Sequence, residues 1–428
     1  MGAVTSERAN SWADSVIWWH CYPLRFVGAE REGIAHVEHR LPRIAGWFDY
    51  VIELGANGVI LAPVFASRTH GYDTLDHYRI DNRLGDDADA DTVIAAARER
   101  GIRLLLDGVF NHVSENHEIV RRALADGPDS AAGAWIRWVD GYPRGFEGNL
   151  DLVELDLAHP PVQDYVAGVM THWLDRGIDG WRLDAAYAAG PDVWRPIVDR
   201  VRAAHPECWI VAEVIHGDYI DFVARSGVDS VTQYELWKAI WSSLNEANFW
   251  ELAHALGRHA GFDAAFRPLT FVGNHDVTRI ATKLADARHL ALATALLLTL
   301  PGVPSIYAGD EQAFTGEKTD GSTGDDAVRP PFPATPAQLL PFGRPVFEEH
   351  QRLIHVRRTH PWLVGAALEV THLANETIVV ELRGAADGGS AGRIAVALNS
   401  SDAAVDVPVG AGSVRLDGPA WSVMELEG

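Results

Sequence analysis

The chain has 428 residues, 47% hydrophobic and 22% charged, which is enough apolar content for one large domain with a smaller one attached. Its formal net charge of -23 argues against nucleic acid as a partner, because phosphate binding is carried by Lys and Arg, and favours a neutral substrate. Cys21 and Cys208, far apart in apolar runs, exclude a disulfide framework and read as buried free thiols.

The N-terminal M-G-A-V-T-S-E-R has neither a basic start nor an apolar run, so no secretory leader is read there and a cytoplasmic location is expected. An early strand over 16–22 leads to a helical pattern over 41–54, closed by Gly55 as a C-cap. The run G-V-I-L-A-P-V from Gly58 is apolar throughout, as a strand buried on both faces is. After a loop through Gly71, Tyr72 and Asp73, the acidic Asp86, Asp87, Asp89 and Asp91 precede a helix ending at Gly101. Their spacing faintly resembles a calcium loop, but negative charge at a helix N-terminus accounts for them more simply. His36 and His39, at helical spacing, read as a solvated face. His20 and His172 read as core or surface histidines.

The strand I-R-L-L-L-D-G-V-F-N-H carries Asp107, Asn111 and His112 at its end. Residues 113–151, rich in Gly and Pro, are too long for a simple connection and read as an inserted lobe. A helix over 162–176 leads into D-G-W-R-L-D-A-A-Y at 179–187, where period two puts Gly180, Arg182 and Asp184 on one face and Trp181 and Leu183 on the other. Further strand and helix patterns follow, with Glu213 ending one strand and P-L-T-F-V-G-N-H-D carrying His275 and Asp276. The most apolar stretch, 290–303, is too short to span a bilayer and reads as a buried helix. A Gly-, Asp- and Pro-rich segment over 320–333 reads as a surface loop, and a last helix spans 346–360.

Eight strand-helix alternations predict a (β/α)8 TIM barrel. The expected division is a barrel over 1–112 and 152–360, the lobe over 113–151, and an antiparallel β-sandwich domain over 361–428, where short alternating strands replace helical patterns.

Active residues of such barrels lie at the C-terminal ends of the strands. Asp107, His112, Arg182, Asp184, Glu213, His275 and Asp276 all fall at or just past such ends and would converge on one cup. Two carboxylates about 5 Å apart allow retaining glycoside hydrolysis, one attacking the sugar carbon and the other donating and then removing a proton. The acid would take its raised pKa from a neighbouring carboxylate, and the nucleophile would be kept ionised by Arg182. Metal binding is the competing reading, though no strand offers a His-x-His pair. The fifteen Trp would suit stacking on sugar faces, although most Trp are core residues.

Taken together, D-G-V-F-N-H (107–112), G-W-R-L-D (180–184), V-A-E-V-I-H around Glu213 and F-V-G-N-H-D (271–276) resemble the four signature regions of the α-amylase family, glycoside hydrolase family 13, in order and spacing. The resemblance covers the chain end to end, with G-Y-D-T-L-D-H-Y-R-I-D from Gly71 similar to that family's loop after the second strand. It implies Asp184 as nucleophile, Glu213 as acid/base and Asp276 as transition-state stabiliser. It further implies that Arg182 orients Asp184, that His112 and His275 hydrogen-bond the sugar with Tyr72 stacked beneath it, and that Asp73, Asp107 and Arg279 support them. No cofactor is required. Asn111 matches a position that ligates calcium in many members, so calcium is compatible, but the lobe offers no other recognisable ligand and no metal residues are assigned.

Tyr187 and Ala188 stand where many starch-acting members have Lys-His against the next sugar. E-V-I-H after Glu213 resembles the neopullulanase and cyclomaltodextrinase branch, whose members take short or cyclic maltooligosaccharides and often dimerise. The expected partner is therefore an oligosaccharide, with neither nucleic acid nor membrane, and a homodimer is compatible. The alternatives are a transglycosylase or α-glucosidase with the same three carboxylates and, from another class, a non-catalytic carbohydrate-binding relative.

Overall fold

The computed structural model describes residues 12–321, 323–384 and 392–426. The stretch read for a leader, residues 1–8, lies outside them. Eight parallel strands follow one another around a sheet: Trp18–Cys21, Gly58–Leu61, Arg103–Gly108, Gly180–Leu183, Trp209–Ala212, Ser230–Val231, Leu269–Phe271 and Val303–Tyr307. The first pairs with the eighth through Trp18 and Ser305, and a parallel bridge from Thr232 to Leu269 joins the sixth to the seventh and closes the barrel.

Every residue of the first, second, fourth and fifth strands is buried, which is why the segment from Gly58 reads as a continuous apolar run and why Arg182 in the fourth strand must find partners. Alternate residues divide between two cores. Trp18, Ile60, Leu105, Trp209 and Val211 fill the barrel interior, while Trp19, Val59, Leu104, Trp181 and Leu183 face the surrounding helices. Trp18 and Trp209 stack at 5.6 Å inside the barrel, and each is held opposite a glycine, Gly58 and Gly180. A Cβ on Gly58 would come within 2.4 Å of the Trp18 ring, and one on Gly180 within 1.9 Å of the Trp209 carbonyl oxygen. Large and small residues therefore share a layer. Burying one such aromatic contributes about 1.5–3 kcal/mol, which overpacking at the glycine would offset.

The helices are set by their ends and their apolar spacing. Pro160–Arg176 opens on two prolines, ends at Gly177 with φ 112, and buries Val162, Val166, Met170 and Trp173 against the barrel. Asp86 caps Asp87–Glu99 in a reciprocal capping box with Asp89, so the acidic run serves the helix N-terminus. Leu290–Thr299 is buried along nearly its whole length.

Several sequence expectations change in detail. The helix expected over 41–54 is two, Pro42–Ala45 and Phe48–Leu54, broken at Gly46 and Trp47. His36 and His39 lie on irregular chain rather than a helix; His36 is exposed, and His39 Nδ1 is 2.6 Å from Asp89 Oδ2. The segment over 320–333, expected as a surface loop, buries Val328, Arg329 and Phe332, because its apolar and arginine side chains turn back onto the barrel mouth.

In the inserted lobe His112–Ser114 pairs antiparallel with Asn149–Glu154, so the expected limit at 151 falls within a strand. It also holds a helix, Glu118–Asp126, a short ribbon of Trp138–Val139 and Tyr142–Pro143, and a hairpin through Gly145–Phe146. At the C-terminus Ala367–Leu373, Thr377–Arg383, Arg393–Asn399 and Ala420–Glu425 form a four-stranded antiparallel sheet. A ribbon of Val405–Val409 and Gly412–Leu416 packs Val407, Val409 and Leu416 onto Val379, Ala395 and Ala397, making the second layer.

Candidate active site

The strand ends bring three carboxylates around one guanidinium. Arg182 faces the barrel interior while its neighbours Trp181 and Leu183 face the helices, as period two dictates. Its Nη1 donates to Asp107 Oδ1 and Oδ2 at 2.9 and 2.8 Å and to Asp184 Oδ1 at 2.7 Å. Its Nη2 lies 2.8 Å from Glu213 Oε1. All four side chains are at most 9% exposed. A buried carboxylate left alone would cost several kcal/mol, on the order of what removing one partner of a buried pair costs; Arg182 offsets part of that cost, but burial outweighs the one cation and holds all three carboxyls above their usual range. Among the described residues, the one group of three His, Cys, Asp or Glu ligand atoms close enough for a metal is His39, Asp86 and Asp89, far from Asn111 in sequence and engaged in the capping box.

Glu213 is also gripped from the backbone: Ala185 N donates to its Oε2 at 2.9 Å, and Tyr234 donates its hydroxyl to Oε1 at 3.2 Å. Ala185 adopts φ 45 to make that contact, a left-handed conformation just past the fourth strand. Asn274 Nδ2 donates to the Tyr234 oxygen at 3.0 Å, and Asn274 Oδ1 accepts the Asp276 backbone N–H at 2.8 Å. A chain of hydrogen bonds thus links Glu213 to the loop that carries Asp276.

Asp276 is held by a different set. His275 Nε2 is 3.0 Å from Asp276 Oδ2, and Arg329 Nη2 donates to Oδ1 at 2.7 Å. The Tyr72 hydroxyl meets His275 Nε2 and donates to Asp107 Oδ2 at 3.3 Å. The Tyr72 and His275 rings are parallel at 5.5 Å, Tyr22 stacks on both, and Arg329 sits 4.5 Å over the Tyr22 ring. A cavity of about 200 Å³ opens here, lined by Tyr22, His70, Tyr72, Asp276, Asp325 and Arg329. The aromatic wall is made of Tyr and His, whereas Trp18, Trp19, Trp47, Trp173, Trp181 and Trp194 are fully buried in the core.

The remaining sequence candidates fall around this centre. His112 is buried with its ring flat against Phe146 at 4.4 Å. Asp73 accepts the Thr69 hydroxyl at 2.6 Å. Arg279 touches none of the three carboxylates Asp184, Glu213 and Asp276 in any hydrogen bond; it donates to Asp310 Oδ1 at 2.8 Å and to the carbonyls of Ala308 and Val328. It therefore ties the loop after the eighth strand to the segment that delivers Arg329.

Burial sets the electrostatics. It raises Asp184 to about 6, with Arg182 pulling the other way, and it raises Glu213 against the same Arg182. The neighbouring carboxylates add to both shifts but are smaller causes than the lost solvent. Asp276 is also pushed up by burial, but His275, Arg329 and Arg182 outweigh it and hold the carboxyl well below its usual range. Burial lowers His275 against the pull of Asp276, and it brings His112 down to about 4, so the His112 ring is neutral at pH 7.

Sequence reasoning missed Arg329, Tyr234, Tyr22 and His20. Arg329 was hidden in the loop over 320–333, where Asp325 and Arg329 at four-residue spacing, followed by P-P-F-P, were the available signal. His20, read as a core or surface histidine, packs 4.9 Å from the His275 ring beneath the site.

Paired carboxylates under one arginine, at the C-terminal mouth of a (β/α)8 barrel with a third carboxylate opposite an aromatic wall, define the class of barrel glycosidases. The alpha-amylase catalytic-domain model matches residues 20–150 and 142–332, and the chain belongs to that family. It is 31% identical over 344 residues to the cyclomaltodextrinase of Geobacillus thermopakistaniensis, covering 72% of this chain and 58% of that protein. With the maltogenic alpha-amylase of Bacillus acidopullulyticus it shares 28% identity over 393 residues, 84% of this chain and 65% of the relative. The chain thus spans roughly three fifths of the length of these curated relatives. Among solved structures, the cyclic alpha-maltosyl-(1→6)-maltose hydrolase of Arthrobacter globiformis superposes with a TM-score of 0.83 at 26% identity, covering 97% of this chain and 100% of that one.

Proposed function

We propose that this chain is a retaining α-glucoside hydrolase that cleaves short or cyclic maltooligosaccharides. The observation that carries the reading is the single Arg182 guanidinium bonded at once to Asp184 and Glu213, which keeps the two carboxylates within one side chain's reach of each other. Asp184 attacks the anomeric carbon as Glu213 protonates the departing glycosidic oxygen, forming a glycosyl ester. Glu213, now ionised, takes a proton from water, which attacks the same carbon and releases Asp184. Asp276 stays ionised beside the oxocarbenium-like transition state, while His275, His112 and Arg329 orient the sugar over Tyr72. Arg182 and Asp107 hold the nucleophile, and Asp73 and Arg279 brace the loops.

No cofactor enters this chemistry, and calcium is assigned no role in it. The names of the similar proteins and Tyr187-Ala188 in place of Lys-His support a small substrate over starch. A cytoplasmic setting accords with the name of the Intracellular maltogenic amylase of Bacillus subtilis, 28% identical over 349 residues. No helix among the described residues is long and apolar enough to cross a membrane.

Reducing-sugar release from maltotriose, pullulan, cyclodextrin and isomaltose, beside an Asp184→Asn control, tests the reading. Hydrolysis of at least one of them that disappears in the control supports it. Activity that survives Asp184→Asn removes the assignment, and binding without turnover by the unaltered chain would favour the non-catalytic alternative.

A further inference from the structure

The lobe's last hairpin brings its tip to one side of the site. Phe146 and Asn149 pair across it, leaving Glu147 and Gly148 as central residues at φ 48 and φ 84. Positive φ at both is a type I′ turn, which Asn-Gly or Gly-Gly fills with the least strain. Glutamate gains nothing from such a backbone, and strain of this kind is retained where a side chain is needed.

Glu147 has such a use. Its Oε1 accepts the Tyr187 hydroxyl at 2.6 Å, and the adjacent Phe146 lies 4.4 Å from the His112 ring, tilted by only 12°. Tyr187 is itself fixed to the acid, since its backbone N–H donates to the Glu213 carbonyl at 3.2 Å. A general acid stands on the leaving-group side of the bond it protonates. With Glu213 as the acid, the hairpin tip joined to the barrel through Tyr187 lies toward the leaving-group side of the cleft, while Phe146 packs on His112 at the lobe's root.

We propose that the Glu147–Tyr187 hydrogen bond is a latch that holds the lobe's hairpin tip against the barrel, narrows the leaving-group side of the cleft, and selects short oligosaccharides over polymeric glucan. The selectivity rests on the hydrolase reading above; the latch itself does not.

Two readouts separate them. Amide hydrogen exchange over residues 145–150 should quicken roughly threefold to tenfold in Tyr187→Phe and in Glu147→Asn, the span of one net hydrogen bond. Because Asn suits the turn, Glu147→Asn should not lower the thermal midpoint, whereas a purely structural glutamate would. In the same variants the ratio of kcat/KM on soluble starch to that on maltotriose should rise by a similar factor, and the double variant should exceed neither single one, as two halves of one contact require. Unchanged exchange overturns the latch. Faster exchange with an unchanged ratio overturns its role in selection. Should the unaltered chain cleave no α-glucan, the hydrolase reading falls and the selectivity with it, and exchange still decides the latch.

Discussion

Arg329 donates Nη2 to the Asp276 carboxylate at 2.7 Å and Nε to the carbonyl of His275 at 2.9 Å, so one guanidinium fixes both the charge and the backbone of the His-Asp pair. It arrives from a segment more than fifty residues downstream, and it also covers Tyr22. Arg329→Met should lower kcat/KM on maltotriose by roughly tenfold to a hundredfold, the equivalent of about 1.5–3 kcal/mol for a hydrogen bond to a charged group. Arg329→Lys, which keeps the charge but loses the fork, should fall between. Unaltered kinetics in the Met variant would show that Asp276 needs no such support.

The barrel and the three acidic side chains were legible in the sequence because each rests on a local signal. Apolar runs of strand length mark the strands, and a charged residue at the end of such a run, as with Asp184 and Glu213, has few uses other than a site. Arg329 and Tyr234 were not legible for the opposite reason. Their roles arise from contacts across long sequence separations, Arg329 to Asp276 and Tyr234 to Glu213, and neither sits in a periodic segment that points it inward. The raised pKa of the acid was expected from a neighbouring carboxylate, but burial is the larger cause, and how deep a side chain lies is not written in strand period.

Glu213→Gln should separate substrates by leaving group. Loss of the proton donor should cost poor leaving groups such as maltotriose about 10²–10⁴-fold in turnover. An activated aryl α-glucoside, whose phenolate leaves without a proton, should lose far less in the first step. Steady-state rates on both, with a burst measurement on the aryl substrate, check this; equal losses would count against an acid role for Glu213.

The acid limb of the pH profile should report Asp184. Burial lifts its carboxyl to about 6, and the nucleophile must be ionised, so kcat/KM should fall as pH drops through about 6. Glu147 adds to that lift by like-charge repulsion. Removing its charge in Glu147→Gln should therefore move the limb to lower pH, by a few tenths of a unit for so exposed a group. A limb that moved upward would contradict the sign. Because Asp184 and Glu213 share Arg182, the two limbs describe the pair rather than either residue alone.

Stability should depend on pH through a carboxyl outside the site. Glu311 is fully buried, accepting the Tyr50 hydroxyl at 2.8 Å and the Gly309 N–H at 2.9 Å, and burial raises it to about 7. A folded-state pKa above the unfolded value means that the native state holds the proton more tightly, so its contribution is complete below about pH 4 and fades as pH climbs to about 7. The loss from this group alone is on the order of 3 kcal/mol between those limits. Glu311→Gln keeps an acceptor for either donor and cannot ionise. Denaturant unfolding from pH 5 to pH 8 should show the unaltered chain weakening with rising pH and the variant weakening less, with the two curves converging at the acid end. Parallel curves would mean that Glu311 ionises equally readily folded and unfolded.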